Sequence, residues 1–260
     1  MPDLPIVLIT GASSGIGAVY ADRFARRGHD LVLVARDAQR METLASTLRA
    51  ETGVAIEVVK ADLTQASDVE TVSRRLQEDD RIGVLINNAG AGLSGSFATQ
   101  SSAAQQNLIA LNVSAVVALA NAVAPRFARA GTGAIVNIGS VVGLAPEFGM
   151  SVYGATKAFV LYLSQGLAVE LSPKGVYVQA VVPSGTRTEI WDRSGADPAN
   201  LPPLMEVADL VDAALVGFDR REPVTVPPLH DAALWDAFQG ARQAMLPGFA
   251  ATVPADRYRA

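Results

Sequence analysis

Seven short apolar runs recur along this chain, and most are unbroken rather than alternating: 6–10, 30–35, 55–60, 83–87, 134–138, 176–182 and 224–226. An unbroken run suits a strand covered on both faces, whereas a strand with one wet face alternates. Amphipathic stretches lie between the runs, among them 17–27, 38–50 and 66–78. Each is long enough to carry the chain back over the sheet, so that successive strands run parallel through right-handed crossovers. The pattern predicts an α/β fold, a doubly wound parallel sheet of about seven strands with helices on both faces. With 260 residues and no linker before residue 183, one domain over 1–260 is expected. A more proline-rich tail follows Pro223 and carries one helix over 232–245, within a C-terminal extension near 228–260.

Charge and rare residues narrow the chemistry. The net charge of −5 lacks the excess of Lys and Arg that marks a nucleic-acid surface. There is no cysteine, which removes disulfides, thiol catalysis and cysteine-ligated metals and fits a reducing, cytoplasmic setting. His29 and His230 are far apart in sequence, so neither a histidine metal site nor a Ser-His-Asp triad is expected. Residues 1–5 have no basic region before their short apolar stretch, so no secretory signal is read there. The stretch 82–125 contains no Asp, Glu, Lys or Arg, and 108–124 is nearly all apolar and about long enough to span a bilayer. Asn107, Asn112, Ser114 and Asn121 interrupt it and Pro125 ends it. That favours a helix buried on most sides, partly against another subunit, over a membrane span.

Two local patterns carry chemistry. The first strand ends in Thr10-Gly11-Ala12-Ser13-Ser14-Gly15-Ile16-Gly17, with a helix following. Glycines permit a tight turn and let backbone approach a pyrophosphate, which the free N–H groups of the helix start then attract. Ser13 and Ser14 add hydroxyl donors. Farther on, Ser140 closes strand five, placing its hydroxyl at the carboxyl edge of the sheet, where ligands bind in open α/β folds. Tyr153 and Lys157 lie four residues apart and share a helix face. A cation beside a phenol favours the phenolate, so Lys157 is expected to lower the Tyr153 pKa and fit it for proton transfer.

In order and spacing, the glycine loop, Asn87-Asn88-Ala89-Gly90, Asn112, Ser140, Tyr153 and Lys157 resemble the short-chain dehydrogenase/reductase superfamily in its single-domain type, from residue 5 to about 190. The resemblance implies a Rossmann-type fold, a nicotinamide cofactor and a homodimer or homotetramer. It implies a cofactor cradle of Gly11, Ser13, Ser14, Gly15, Ile16 and Gly17. Asp62 and Leu63 would flank the adenine, and Asn88, Ala89 and Gly90 would lie along its ribose. Asn112 would hold a water relaying protons to Lys157, and Lys157 would also contact the nicotinamide ribose. Pro183, Thr186 and Thr188 would line the nicotinamide, Thr188 holding its carboxamide. Ser184 departs from the usual glycine, which puts the local backbone in question, although Gly185 follows. Ala35 stands where NAD-preferring relatives usually carry an acid, and Arg36 follows it. A guanidinium can grip a 2′-phosphate with two parallel hydrogen bonds, so NADP(H) is the expected cofactor.

The expectation is therefore an NADP(H)-dependent oxidoreductase moving a hydride between nicotinamide and a carbonyl or secondary alcohol, with Tyr153 as general acid/base. A substrate loop is placed near 186–204, with Ile190 and Trp191 as apolar lid residues; 93–97, 141–144 and 148–150 form the other walls, which suit an uncharged, partly hydrophobic small molecule. Two alternatives stay open: a reductase of carrier-bound 3-oxoacyl groups, for which Arg126, Arg129, Arg187 and Arg193 are too scattered to decide, and a non-catalytic cofactor-binding regulator.

Overall fold

The computed structural model describes residues 4–195, 199, 201 and 203–259. Residues 1–3 lie outside that description, as do Ala196–Pro198, Asn200 and Pro202 of the expected substrate loop and Ala260 at the end. The strands are β1 (Ile6–Thr10), β2 (Leu31–Ala35), β3 (Ile56–Lys60), β4 (Ile82–Asn87), β5 (Ala134–Ile138), β6 (Tyr177–Val181) and β7 (Val224–Thr225). They form one sheet in the order β3-β2-β1-β4-β5-β6-β7, every adjacent pair parallel. The helices are α1 (Gly15–Arg26), α2 (Ala38–Thr52), α3 (Ala66–Glu78), α4 (Ser102–Ile109), α5 (Ala115–Ala130), α6 (Ser151–Leu171), α7 (Ile190–Ser194), α8 (Val207–Asp219) and α9 (Ala232–Ala244). This is the doubly wound α/β architecture of the Rossmann type. Strand order reverses between β1 and β4, which opens a crevice at their carboxyl ends.

The unbroken apolar strands do serve two cores. Val7, Ile9, Leu31 and Leu33 face Tyr20, Phe24, Met41 and Leu48 of α1 and α2 and Leu210 and Leu215 of α8. Their neighbours Leu8, Val32 and Val34 face Val72 and Leu76 of α3 and Leu119, Val123 and Phe127 of α5. Alternate residues thus supply opposite faces, and burying each such side chain contributes about 1.5–3 kcal/mol.

Several boundaries differ from the sequence expectation. Asp30 stays outside β2 because its carboxylate accepts from the Ala55 amide at 2.8 Å, fixing the entry to β3. Helix α2 continues to Thr52 and stops where Gly53 turns left-handed at φ 74°. Pro125 does not end its helix: α5 runs through it to Ala130 and stops at Gly131, φ 67°. An interior proline costs about 3 kcal/mol, which the burial of Val123 and Phe127 on either side of it offsets. The rod Ser102–Ala130 is long and apolar enough to cross a bilayer by length and composition; here its residues Ala115, Leu119, Val123 and Phe127 belong to the core under the sheet.

Two compact units are described, one ending at Pro227 and one beginning at Pro228. The first holds the sheet and the site below. The second consists of α9 and short 3₁₀ turns at Leu246–Ala250 and Asp256–Tyr258.

Candidate active site

The glycine loop is clasped to β4 by a hydroxyl and an amide. Thr10 Oγ1 accepts from the Asn88 and Ala89 amides at 3.0 Å each and donates to Ile86 O at 3.2 Å. The Asn88 side chain donates to Thr10 O at 2.8 Å and Gly11 O at 3.3 Å. Gly11 and Gly15 are left-handed, at φ 67° and 56°. A Cβ on Gly17 would collide with Gly11 O and lie 2.6 Å from Asn88 Nδ2. The loop therefore demands glycine for closeness as well as for turn shape. No side chain caps α1, whose N-cap is Ser14, so the helix start keeps unsatisfied N–H groups facing the loop. Ser13 and Ile16 are half-buried in the same turn. An anionic pyrophosphate fits this cradle.

At the outer end of β2, Arg36 is exposed and makes no hydrogen bond or ion pair among the described residues. Asp37 is committed elsewhere: its carboxylate caps α2 by accepting from the Arg40 amide at 3.0 Å. It therefore does not stand where a ribose 2′-hydroxyl would need an acid. Burial pushes the Asp62 carboxyl up, but hydrogen bonds from Thr64 and the Arg36 guanidinium hold it below its usual range. Leu63 is buried in the core under α3. Sequence reasoning missed Arg40, whose Nη1 grips both Glu189 oxygens at 2.8 and 2.9 Å, tying the start of α2 to the start of α7.

Ser140, Tyr153 and Lys157 converge at the carboxyl ends of β5 and β6. Ser140 begins a 3₁₀ turn, Val141–Gly143, its hydroxyl accepting from the Val142 amide at 3.2 Å. A Cβ on Gly143 would stand 2.6 Å from the Ala158 amide, and one on Gly154 3.0 Å from Val142 O. Those two glycines let the turn lie directly on α6 and bring Ser140 to the Tyr153 phenol. Lys157 is buried, its Nζ donating to Ile138 O at 2.9 Å and standing 5.8 Å from the Tyr153 ring centre. No ion pair among the described residues includes it, and burial lowers its pKa to about 8. Against the expected lowering, the net shift of the Tyr153 phenol is upward: burial raises it and outweighs the Ser140 hydrogen bond, while the Lys157 ammonium rests on the Ile138 carbonyl.

Asn112 sits in a π-helical turn, Ala110–Ser114, between α4 and α5, the kind of local widening that recurs at functional sites. Its Oδ1 accepts from the Ala91 amide at 3.0 Å, and its Nδ2 donates to Ala91 O at 3.0 Å and Thr156 Oγ1 at 3.1 Å. Thr156 in turn donates to Tyr153 O at 2.7 Å. Thr156, which the sequence reading passed over, thus joins the π-turn to the Tyr153 turn of α6. Thr156→Val keeps the shape but strands the buried Asn112 amide, and is expected to lower stability by about 1–3 kcal/mol. Thr156→Ser is expected to keep it, and urea midpoints decide between the two outcomes. A Cβ on Gly90 would stand 3.3 Å from Asn112 Oδ1 and 3.4 Å from Lys157 Nζ, so a side chain there would crowd both groups.

After β6, Pro183 O accepts from the Val141 amide at 2.9 Å. Ser184 occupies no left-handed conformation, so a serine fits where relatives usually carry glycine. Thr186 is buried, its hydroxyl donating to Ser184 O at 3.0 Å. Thr188 Oγ1 accepts from the Ile190 amide at 3.4 Å, and its methyl would lie 3.1 Å from a Cβ on Gly15. Thr188 therefore packs against the glycine loop, and together with Ser14, Gly15, Arg187 and Glu189 it lines an open cleft of about 520 Å³. Trp191 Nε1 donates to Thr186 O at 2.8 Å, and the Ser94 amide donates to Ser194 O at 3.1 Å, which seats α7 beside 92–94. Phe97 and Phe148, both expected as walls, expose their rings.

A family model described as short chain dehydrogenase matches residues 5–199. A short-chain dehydrogenase from Sphingobium yanoikuyae, solved in complex with NADPH, is 66% identical with a TM-score of 0.97, covering 98% of this chain and all of that one. A bulky-bulky ketone specific alcohol dehydrogenase from Comamonas testosteroni is 57% identical with a TM-score of 0.93, covering 99% of this chain and 100% of that one. Mouse 17-beta-hydroxysteroid dehydrogenase type 3 is 34% identical over 183 residues, 70% of this chain, which spans 60% of the length of that relative.

Proposed function

Because the chain belongs to the short-chain dehydrogenase/reductase superfamily, we propose that it is an NADP(H)-dependent oxidoreductase interconverting a ketone and a secondary alcohol, with Tyr153 as the general acid/base. The observation that carries this reading is the Ser140–Tyr153–Lys157 cluster at the sheet's carboxyl edge, beside a glycine cradle fitted to a pyrophosphate. When bound, the dihydronicotinamide supplies the hydride. The Ser140 hydroxyl donates to the substrate oxygen and holds it next to the phenol. Tyr153, kept protonated by burial, gives its proton to that oxygen in reduction and removes it in oxidation. Lys157, an unpaired buried ammonium, stabilises the phenolate left behind. Both Asn112 N–H groups are spent on Ala91 and Thr156, so Asn112 acts by holding the π-turn, and a relay water would bind an acceptor there. Thr188 holds the carboxamide.

The substrate class is an uncharged, bulky ketone. Its support is the exposed Phe97 and Phe148 rings on the segments after β4 and β5, and the ketone named for the Comamonas relative. Copies associate as a homodimer or homotetramer in the cytoplasm, with neither membrane nor nucleic acid as partner. The net charge of −5 and the exposed Phe159, Tyr162 and Val169 of α6 favour this. Arg36 selects the 2′-phosphate. Arg36→Ala is expected to weaken NADPH by about ten- to hundredfold, the worth of one charged hydrogen-bonded contact, and to leave NADH nearly unchanged. Fluorescence titration of both reduced cofactors tests this; an equal loss for both would remove Arg36 from the phosphate site.

A further inference from the structure

We propose that Arg40 is a positioning residue that straps α7 across the cofactor crevice, so that NADP(H) enters and leaves only while the Arg40–Glu189 ion pair is open. The inference rests on the cofactor reading above. Arg40 follows β2, on one flank of the crevice between β1 and β4, and Glu189 follows β6, on the other flank. Their side chains nevertheless meet, with Arg40 Nη1 at 2.8 and 2.9 Å from the two Glu189 oxygens. Helix α7 begins just after that contact. Its far end is seated on the segment after β4, where the Ser94 amide donates to Ser194 O at 3.1 Å and the Ser94 hydroxyl to Ser194 Oγ at 3.2 Å. A Cβ on Gly92 would stand 3.1 Å from Ser194 Cβ and 3.5 Å from Ile190 Cγ1, so α7 rests on that backbone. One end of α7 is thus held on the β4 flank and the other is tied to the β2 flank. The ion pair also adjoins both residues assigned to the ends of the cofactor: Arg36 lies one turn before Arg40, and Thr188 directly precedes Glu189.

Charge supports a strap rather than an anion ligand. Glu189 and Asp192 line the open cleft beside Ser14 and Gly15, where a bare carboxylate would repel a pyrophosphate. Glu189 is covered instead, by Arg40 and by Arg193 Nη2, which donates to its Oε2. Asp37 stands 3.5 Å from Arg40 Nε, so the charges alternate from Asp37 through Arg40 and Glu189 to Arg193. A single exposed pair contributes little, whereas a network of charges can hold a geometry. The Arg40 and Glu189 side chains are 49% and 41% exposed, so salt screens them and the pair opens readily. A gate needs that weakness, because it must yield each time the cofactor is exchanged.

The test is stopped-flow fluorescence of NADPH and of NADH on the full chain, with Arg40→Met, Glu189→Gln and the two combined. NADH lacks the 2′-phosphate, so a strap acts on both cofactors and a phosphate ligand on NADPH alone. Each single variant is expected to raise the off-rate of both cofactors by about two- to fivefold, the worth of one exposed ion pair. The double variant is expected to add nothing further, because both substitutions open the same contact. Raising KCl to about 0.5 M should speed release from the wild type more than from the double variant. A loss confined to NADPH in Arg40→Met, with Glu189→Gln unchanged, makes Arg40 a phosphate ligand and overturns the strap. Unchanged off-rates in all three variants overturn it as well, as do effects that simply add. Binding of neither cofactor to the wild type overturns the cofactor reading itself, and the strap with it.

Discussion

Tyr153→Phe is expected to lower kcat by about a thousandfold or more, within the range that a positioned acid/base contributes, with NADPH affinity changed by less than about threefold. Phenylalanine keeps the ring and loses only the hydroxyl, so the fold around α6 has no reason to move. The lost atom is the one that burial keeps protonated. Steady-state kinetics with a bulky ketone and NADPH, beside fluorescence titration of the cofactor, separate chemistry from binding. A variant retaining more than a tenth of wild-type turnover would remove Tyr153 from the proton path. The sign of the pH response follows from the raised phenol: ketone reduction uses the protonated form and slows as pH climbs, while alcohol oxidation uses the phenolate and quickens.

The strands were legible because burial on both faces writes itself as unbroken apolar runs, and the glycine loop because close backbone approach admits no other residue at Gly17. Contacts between segments far apart in sequence were not legible. Thr10 looks like the last residue of a strand until β4 arrives beside it and two amides share its hydroxyl. Arg40 looks like a solvated helix charge until Glu189 meets it. The direction of the Tyr153 shift was misread for a related reason. Sequence spacing puts Lys157 on the right face, but it does not reveal that the Ile138 carbonyl captures the ammonium or how deeply the pair is buried. Pro125 misled because its effect on a helix depends on the packing of its neighbours, which a residue preference does not carry.

Lys157→Met should lower turnover by about a hundredfold or more and at the same time flatten the pH dependence of stability. Lys157 is buried with one carbonyl and, among the described residues, no ion-pair partner, and its folded pKa of about 8 lies below the ~10.4 of an unfolded lysine. Between those values the unfolded chain binds more protons than the native one, so stability rises with pH across that window. From pH 7 to 9.5 the wild type should gain about 2 kcal/mol from this group alone. Raised phenols such as Tyr153 oppose the trend only above about pH 10, where unfolded tyrosine ionises. Methionine fills a similar volume without a charge, so the variant should lack the gain; Lys157→Arg, charged throughout, should lack it too. Urea unfolding at the two pH values reads this directly. The same slope in Lys157→Met as in wild type would place its origin elsewhere and leave Lys157 an ordinary amine. A matching loss of slope and turnover would tie both to one unpaired ammonium, held at a cost to stability because the phenolate of Tyr153 needs a cation within reach when its proton has gone.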